Sequence, residues 1–271
     1  MTPAHDSAEI GVYGGSGFYA FLDDVVEVEV ATPYGPPSSP VALGTLGGRR
    51  VAFLPRHGKQ HQLPPHRVNF RANAWALHSL GVHSVLGPCA SGSLRLDRRP
   101  GDVVVPDQLV DRTWGRPDTF ADGPASPPEV GEGIAHLSFA DPYTEGLRQV
   151  LLAAARDEHD PGRVHDGGTV VVIQGPRFST RAESRWFRAM GWDLVNMTQH
   201  PEVALCRELG MAYACLALVT DFDSGVDNPT TDSPDVEPVT MDEVFRVLAA
   251  NVELTRRILS RAIPHIEGER P

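Results

Sequence analysis

A chain of 271 residues is normal for one α/β domain and long enough to bury most of the surface its unfolded form exposes, so no metal or disulfide is needed to hold it. Its 24 Lys and Arg against 35 Asp and Glu give a formal charge of −11, which argues against general nucleic-acid binding and against an anionic membrane surface, but not against a small anion in a local basic pocket. Three well-separated cysteines, Cys89, Cys206 and Cys215, make neither a disulfide framework nor a metal-ligand spacing; with no secretory pattern at the start and no run long enough to cross a bilayer, a reducing cytoplasm is expected.

Residues 10–13 read as a short strand entering Gly14-Gly15-Ser16-Gly17, and residues 25–30 and 50–54 read as further strands split by a turn-rich stretch at 32–40. A basic, His-rich loop follows, kept out of helix by Pro64-Pro65. A helix is predicted over 68–80 with Gly81 after it, then a strand over 82–86 that ends in a small-residue turn at 88–94. Residues 101–105 are a strand, and 111–133 form a long Pro/Gly loop of the kind that is usually functional or at an interface. Asp141 as N-cap and Pro142 at the first helical position open an amphipathic helix to about residue 158. Residues 169–174 are β-branched and strand-like, and Thr180 with Glu183 has capping-box spacing.

A strand at 192–195 stops at Asn196-Met197-Thr198. Pro201 suits the first turn of a helix, Glu202 sits where the helix dipole favours an anion, and Gly210 suits the position just past its end. Residues 211–219 are almost unbroken apolar, as in a strand buried on both faces, and Thr220-Asp221-Phe222-Asp223 is read as a turn after it. The rest is a polar loop at 224–238, a second capping box at Thr240 and Glu243, and a closing helix over 241–262. The alternation implies one α/β domain over 1–271, with tails at about 1–8 and 264–271. Its sheet is mixed, largely parallel and twisted, with flanking helices. Ligands bind beyond the carboxyl ends of strands in such sheets, where Thr198 and Asp221 fall.

Gly15-x-Gly17-x-x-Ala20 lacks the helix that a dinucleotide fingerprint requires, which leaves either an oxyanion-facing turn with the Ser16 hydroxyl or a simple tight turn. Arg56-His57-Gly58-Lys59-Gln60-His61 offers cationic donors directly after a strand: a phosphate site or a solvated basic loop, with no ligand set at zinc-like spacing. Pro88-Cys89-Ala90-Ser91 reads first as backbone recognition, then as structure, and last as a nucleophile. His136, among apolar neighbours, reads as a core or interface histidine.

Taken in order, GVYGGSG (11–17), TPYGPPS (32–38), PRHGKQH (55–61), VNFRANAWAL (68–77), GSL (92–94), PGDVV (100–104), DQLVDRT (107–113), QGPRFSTRAES (174–184), NMTQHPE (196–202) and TDFDSG (220–225) resemble the S-methyl-5′-thioadenosine phosphorylases within the trimeric purine nucleoside phosphorylase family, over about residues 10–259. The resemblance implies the nucleoside phosphorylase type of fold. It implies reversible phosphorolysis of a nucleoside with inorganic phosphate as co-substrate, no metal or organic cofactor, and a homotrimer whose sites are completed by the neighbouring subunit. It assigns Ser16, Arg56, His57, Ala90 and Thr198 to the phosphate, with Cys89 where the family usually has a hydroxyl residue. Asn196 and Met197 would border the ribose, Phe178 would lie against the base, and Ser179, Asp221 and Asp223 would meet the purine edge. His136 from a neighbour would close the 5′ end beside Met241, Val244 and Phe245.

C–N cleavage places positive charge on the ribose and negative charge on the purine, so an anion below the sugar and a proton donor at the base are both required. Asp221 would serve as that donor if desolvated and protonated. Relatives that favour 6-oxopurines usually carry Asn there, so Asp implies adenine nucleosides. The expected activity is phosphorolysis of 5′-methylthioadenosine in purine and methionine salvage, with a purine nucleoside phosphorylase acting on inosine, guanosine or adenosine as the alternative. A hydrolytic nucleosidase would need no phosphate clamp, and a nucleoside-binding sensor would leave Asp221 unexplained.

Overall fold

Two parallel half-sheets meet head to tail at one seam, and the seam positions the site. The computed structural model describes residues 7–14, 22–122, 126, 136–224 and 241–268, with 241–251 described by backbone alone. In chain order its elements are β1 (Ile10–Gly14), β2 (Asp23–Val28), β3 (Val41–Leu46), β4 (Arg49–Pro55), α1 (Phe70–Ser79), β5 (Ser84–Ser93), β6 (Val103–Val105), β7 (Gln108–Arg112), α2 (Glu145–Glu158), β8 (Val164–Asp166), β9 (Thr169–Ile173), α3 (Arg181–Ala189), β10 (Leu194–Asn196), α4 (Gln199–Glu208), β11 (Ala212–Phe222) and α5 (Met241–Ala262).

The strands form one eleven-stranded mixed sheet in the order β2-β3-β4-β1-β5-β10-β9-β7, with β11 beside β5 and leading on to β6 and β8. β4, β1 and β5 run parallel, as do β10, β9 and β7, and the two sets oppose each other where Leu194 and Val195 of β10 meet Ser93 and Gly92 of β5.

β11 shows why one apolar run reads as doubly buried. Its Tyr213, Cys215, Ala217 and Val219 join a core containing Phe70 and Leu77 of α1 and Leu205 of α4, whereas Ala212, Ala214, Leu216 and Leu218 join a core containing Leu147 and Leu151 of α2 and Leu254 and Ile258 of α5. The period of two divides one run between two helical layers.

The structure differs from the sequence expectations at four places. Pro88–Ser93 is not a turn but the second half of β5, paired with β11 through Leu216–Pro88, Ala217–Cys89 and Leu218–Ala90. Thr220–Phe222 likewise belongs to β11, with an irregularity between Val219 and Asp221. α2 begins at Glu145 with Thr144 as its N-cap residue, not at Asp141 and Pro142, because Thr144 is bound to β11: its N–H donates to Tyr213 O (2.9 Å) and its hydroxyl accepts from Tyr213 N (3.2 Å). β3, β7 and β8, not marked as strands by the sequence, are also present.

Other local signals hold. Thr180 and Glu183 form the reciprocal capping box of α3. Gly210, at φ +70°, follows the last residues of α4 in the left-handed region that glycine tolerates. The helical backbone of α4 settles only after His200, whose φ −106° and ψ 131° are extended. The second capping-box residue Thr240 lies outside the described residues.

Candidate active site

β1 pairs with β4 along its whole length but with β5 only through Ile10–Val12 against Ser84–Leu86. Beyond Leu86 the strands part. Arg56, the first residue after β4, fills the parting: its backbone N–H donates to Gly14 O (3.0 Å) and its Nη1 to Pro88 O (3.3 Å). A proline is tolerated in β5 because its missing N–H would have faced this opening, not a ladder partner.

The remaining edge of the guanidinium grips Glu202, Nη2 to Oε2 at 3.0 Å and Nε to Oε1, and Glu202 also accepts from the Tyr213 hydroxyl at 2.9 Å. Both partners are buried. Burial opposes the charge on Arg56, but the adjacent carboxylate more than offsets it and raises the guanidinium pKa. Glu202, expected only to complement a helix dipole, is thus the counter-ion of the one buried cation of the His-rich loop.

His57 departs from its expected role as a cationic donor. Its Nδ1 lies 2.8 Å from Leu63 O, which can only accept, so the ring N–H is committed there and Nε2 is left as an acceptor. Burial, reinforced by Arg56, lowers its pKa to about 4, so the ring is neutral at pH 7.

Cys89 lies on the face of β5 toward α4, surrounded by donors. Asn196 Nδ2 is at 3.4 Å and Gln199 Nε2 at 3.5 Å, with Ser91 Oγ and Cys215 Sγ each at 3.6 Å. The Cys215 thiol first, then Gln199 and Arg56, outweigh burial and lower the Cys89 pKa to about 6, while burial pushes Cys215 up. Gln199 Nε2 also donates to the Cys215 sulfur while its Oε1 accepts a hydrogen bond from the Tyr143 hydroxyl, so the pair closes a buried polar chain.

The ends of β9, β10 and β11 converge on the same place. A Cβ on Gly175 would stand 2.6 Å from Met197 Sδ, so the segment carrying Phe178 and Ser179 lies against the Asn196-Met197-Thr198 segment. Asp221 is half-buried, with Oδ1 accepting from the Thr220 hydroxyl at 2.6 Å. Asp223 is 3 % exposed, and burial raises its carboxyl pKa. The desolvation expected at Asp221 therefore lies two residues on. Asn196 Oδ1 is buried without a hydrogen-bond partner among the described residues, whereas the hydroxyls of Ser179 and Ser184 interact with the Asp223 carboxyl and oppose the effect of its burial.

Gly92 faces both acids: an added Cβ would sit 3.1 Å from Asp221 Oδ2 and 3.6 Å from Asp223 Cβ. Gly92→Ala is expected to displace the Asp221 carboxylate by a few tenths of an ångström and lower turnover by about tenfold, with a melting temperature close to that of the parent. Turnover equal to the parent's would show that the Asp221 position does not matter to the reaction.

Arg56 meets Pro88, Asn196 meets Cys89, and Asp221 and Asp223 meet Gly92, so these side chains follow one another along the second half of β5, which also carries Ala90; Thr198 and Ser179 lie just after β10 and β9. His136 is exposed on its own chain. Ser16 and the side chains of Met241, Val244 and Phe245 lie outside the described residues. Sequence reasoning missed Tyr213 and Gln199, whose only signal was their place in apolar or helical runs. Among the described residues no three His, Cys, Asp or Glu side chains are set to hold a metal ion, and no helix is long and apolar enough to cross a membrane.

Residues 9–264 match the family described as the phosphorylase superfamily. The chain belongs to the phosphorylase superfamily. Among similar proteins, the purine nucleoside phosphorylase of Streptomyces coelicolor is 55% identical over 97% of this phosphorylase and 91% of its own length. The S-methyl-5′-thioadenosine phosphorylase of Mycolicibacterium smegmatis is 52% identical over 96% of the chain and 92% of its own. The methylthioadenosine phosphorylase of Schistosoma mansoni, solved in complex with adenine, superposes with a TM-score of 0.86 at 41% identity, covering 97% of this chain and 93% of its own. The mixed sheet of the phosphorylase, and with it the expected fold class, is therefore that of a nucleoside phosphorylase.

Proposed function

We propose that this phosphorylase cleaves 5′-methylthioadenosine with inorganic phosphate, giving adenine and 5-methylthioribose 1-phosphate, in purine and methionine salvage. The observation that carries the reading is an order along β5: a buried, carboxylate-held Arg56 at Pro88, the Asn196 amide with its unpaired Oδ1 at Cys89, and the raised-pKa Asp223 at Gly92. Phosphate, a phosphate-facing cation and a carboxyl group at the leaving base meet the charge demand of C–N cleavage without a metal or organic cofactor. Phosphate would sit near Arg56, Cys89, Ala90 and Thr198, with Ser16 and His57 at its edge. The neutral His57 Nε2 would accept a hydrogen bond from a protonated phosphate oxygen rather than add charge.

At the base, burial raises the Asp223 carboxyl pKa, which suits it to donate as the purine leaves, while Asp221 accepts from a 6-amino group. The assembly we infer is a homotrimer in the cytoplasm, in which the exposed His136 serves a neighbouring subunit beside Met241, Val244 and Phe245. A second reading, a purine nucleoside phosphorylase acting on 5′-hydroxy nucleosides, is favoured by the name of the 55%-identical relative.

Methylthioadenosine, methylthioinosine, adenosine and inosine, each with and without phosphate, separate these readings by the base released. Phosphate-dependent adenine release, fastest from methylthioadenosine, is expected. Release without phosphate would mean a hydrolase, and fastest release from the 5′-hydroxy nucleosides would favour the second reading.

Cys89 gives the phosphate site a pH dependence of definite sign. With its pKa lowered to about 6, the thiol ionises as pH rises through 6 and places a negative charge beside a dianionic co-substrate. The phosphate KM should therefore rise above pH 6 beyond what phosphate ionisation produces, and Cys89→Ser should remove that rise. Cys89→Ser is expected to bind phosphate roughly tenfold more tightly than the parent at pH 8 and equally at pH 5. A ratio that does not change between the two pH values would mean the thiol stays neutral.

A further inference from the structure

We infer that Arg116, which has no place in the phosphate or purine contacts, is a positioning residue that holds the ribose–phosphate segment and the purine segment of the cleft to one another. This rests on the phosphorolytic reading above. β9 and β10 run side by side up to the Asn196–Val172 pair and then separate into the two segments that carry the candidate ligand contacts. Arg116, from the connection after β7, enters where that pairing ends. Its Nη1 donates to Met197 O at 3.0 Å and His200 O at 2.6 Å, on the β10 side. Its Nη2 donates to Gln174 O at 2.8 Å and Ile173 O at 3.4 Å, and its Nε to Gln174 Oε1 at 3.2 Å, on the β9 side. The main-chain N–H of Trp114 donates to the same Gln174 Oε1 at 3.1 Å, and the guanidinium lies 5.1 Å from the centroid of the Phe70 ring.

Its choice of partners sets Arg116 apart. It is 9 % exposed, yet among the described residues no carboxylate is paired with it; every hydrogen bond goes to a carbonyl or amide oxygen of the two segments. In this it differs from Arg56, whose guanidinium is held by the Glu202 carboxylate. Arg116 instead uses its planar fork to replace the ladder bonds that β9 and β10 stop making, at the spacing two diverging strands require. Burial lowers its pKa to about 10, leaving it charged at neutral pH, with Asp111 and Glu202 balancing it at longer range. Asn196 and Thr198 on one segment and Phe178 and Ser179 on the other therefore share one brace.

The test compares the parent, Arg116→Ala and Arg116→Lys with methylthioadenosine and phosphate, alongside adenine and phosphate binding by calorimetry. A parent that releases no base with phosphate would overturn the functional reading, while the binding measurements would still report on Arg116. If Arg116 is the brace, Arg116→Ala raises the KM of both substrates and lowers kcat, with kcat/KM down roughly 10²-fold. Arg116→Lys, which can still reach part of the carbonyl set, recovers to within roughly tenfold of the parent, and guanidinium ion added to Arg116→Ala restores part of kcat. A variant with a lowered melting temperature but kcat and both KM values within about twofold of the parent would overturn the inference. Should Arg116→Ala fail to fold, Arg116→Lys decides: elevated KM values for both substrates support the brace, and parent-like values for both remove it.

Discussion

Glu202→Ala is expected to be the most destabilising single change in the cleft. It strips the carboxylate from a guanidinium that is buried between β4 and β5 and leaves the Tyr213 hydroxyl without its acceptor. Removing one partner of a buried ion pair typically costs about 3–5 kcal/mol, because the other charge cannot regain water. For a chain of this size that corresponds to a fall in melting temperature on the order of 10 °C. Arg56 would then swing toward whatever anion is available, so phosphate in the buffer should recover part of the loss by binding the folded state. Thermal melts of the parent and Glu202→Ala, with and without phosphate, check both statements. A melting temperature within a degree or so of the parent's would mean that Arg56 finds another partner at no cost, and the account of the pair would be wrong. Glu202→Gln, which keeps the acceptor oxygen but not the charge, should fall between the two.

The second large effect is a divided response at the two acids. Asp221→Asn exchanges a group that only accepts for one that also donates, so it should oppose a 6-amino purine and suit a 6-oxo purine. Turnover of methylthioadenosine is expected to fall by roughly 10²–10³-fold, the scale seen when one transition-state hydrogen bond is removed, while methylthioinosine turnover rises from its low starting point. Asp223→Asn removes the carboxyl whose pKa burial raises, and both substrates should slow together. The phosphate KM should stay within about twofold in both variants, because the acids lie at the purine end of the cleft. Parallel losses from Asp221→Asn on both substrates would show that it does not read the 6-position. Unchanged rates would remove it from the site.

How much of this was legible depended on whether the signal was local. β11 could be read from its apolar run, α3 from Thr180 and Glu183 and the end of α4 from Gly210, because each is fixed by neighbours a few residues away. The continuation of β5 through Pro88 could not be. Pro, Gly and Ser in succession indicate a turn unless one knows that the strand beside them has already left. The role of Glu202 was hidden for a similar reason: its partner Arg56 is 146 residues away in the chain. The neutrality of His57 and the burial of Asp223 are properties of packing, which residue type alone does not give. The convergence of Arg56, Asn196, Ser179 and Asp223 was legible only through the order of the motifs, since nothing in their spacing says that four strand ends meet.

The early departure of β1 from β5 also sets stability against catalysis. A β1 that stayed beside β5 for two residues past Leu86 would gain main-chain hydrogen bonds and close the opening that Arg56 now occupies. Selection for thermal resistance alone would favour such zipping, so stabilised descendants of this chain should be sought with the Gly14–Pro55 and Val12–Leu86 registers held fixed. The active cleft is a length of sheet left unfinished.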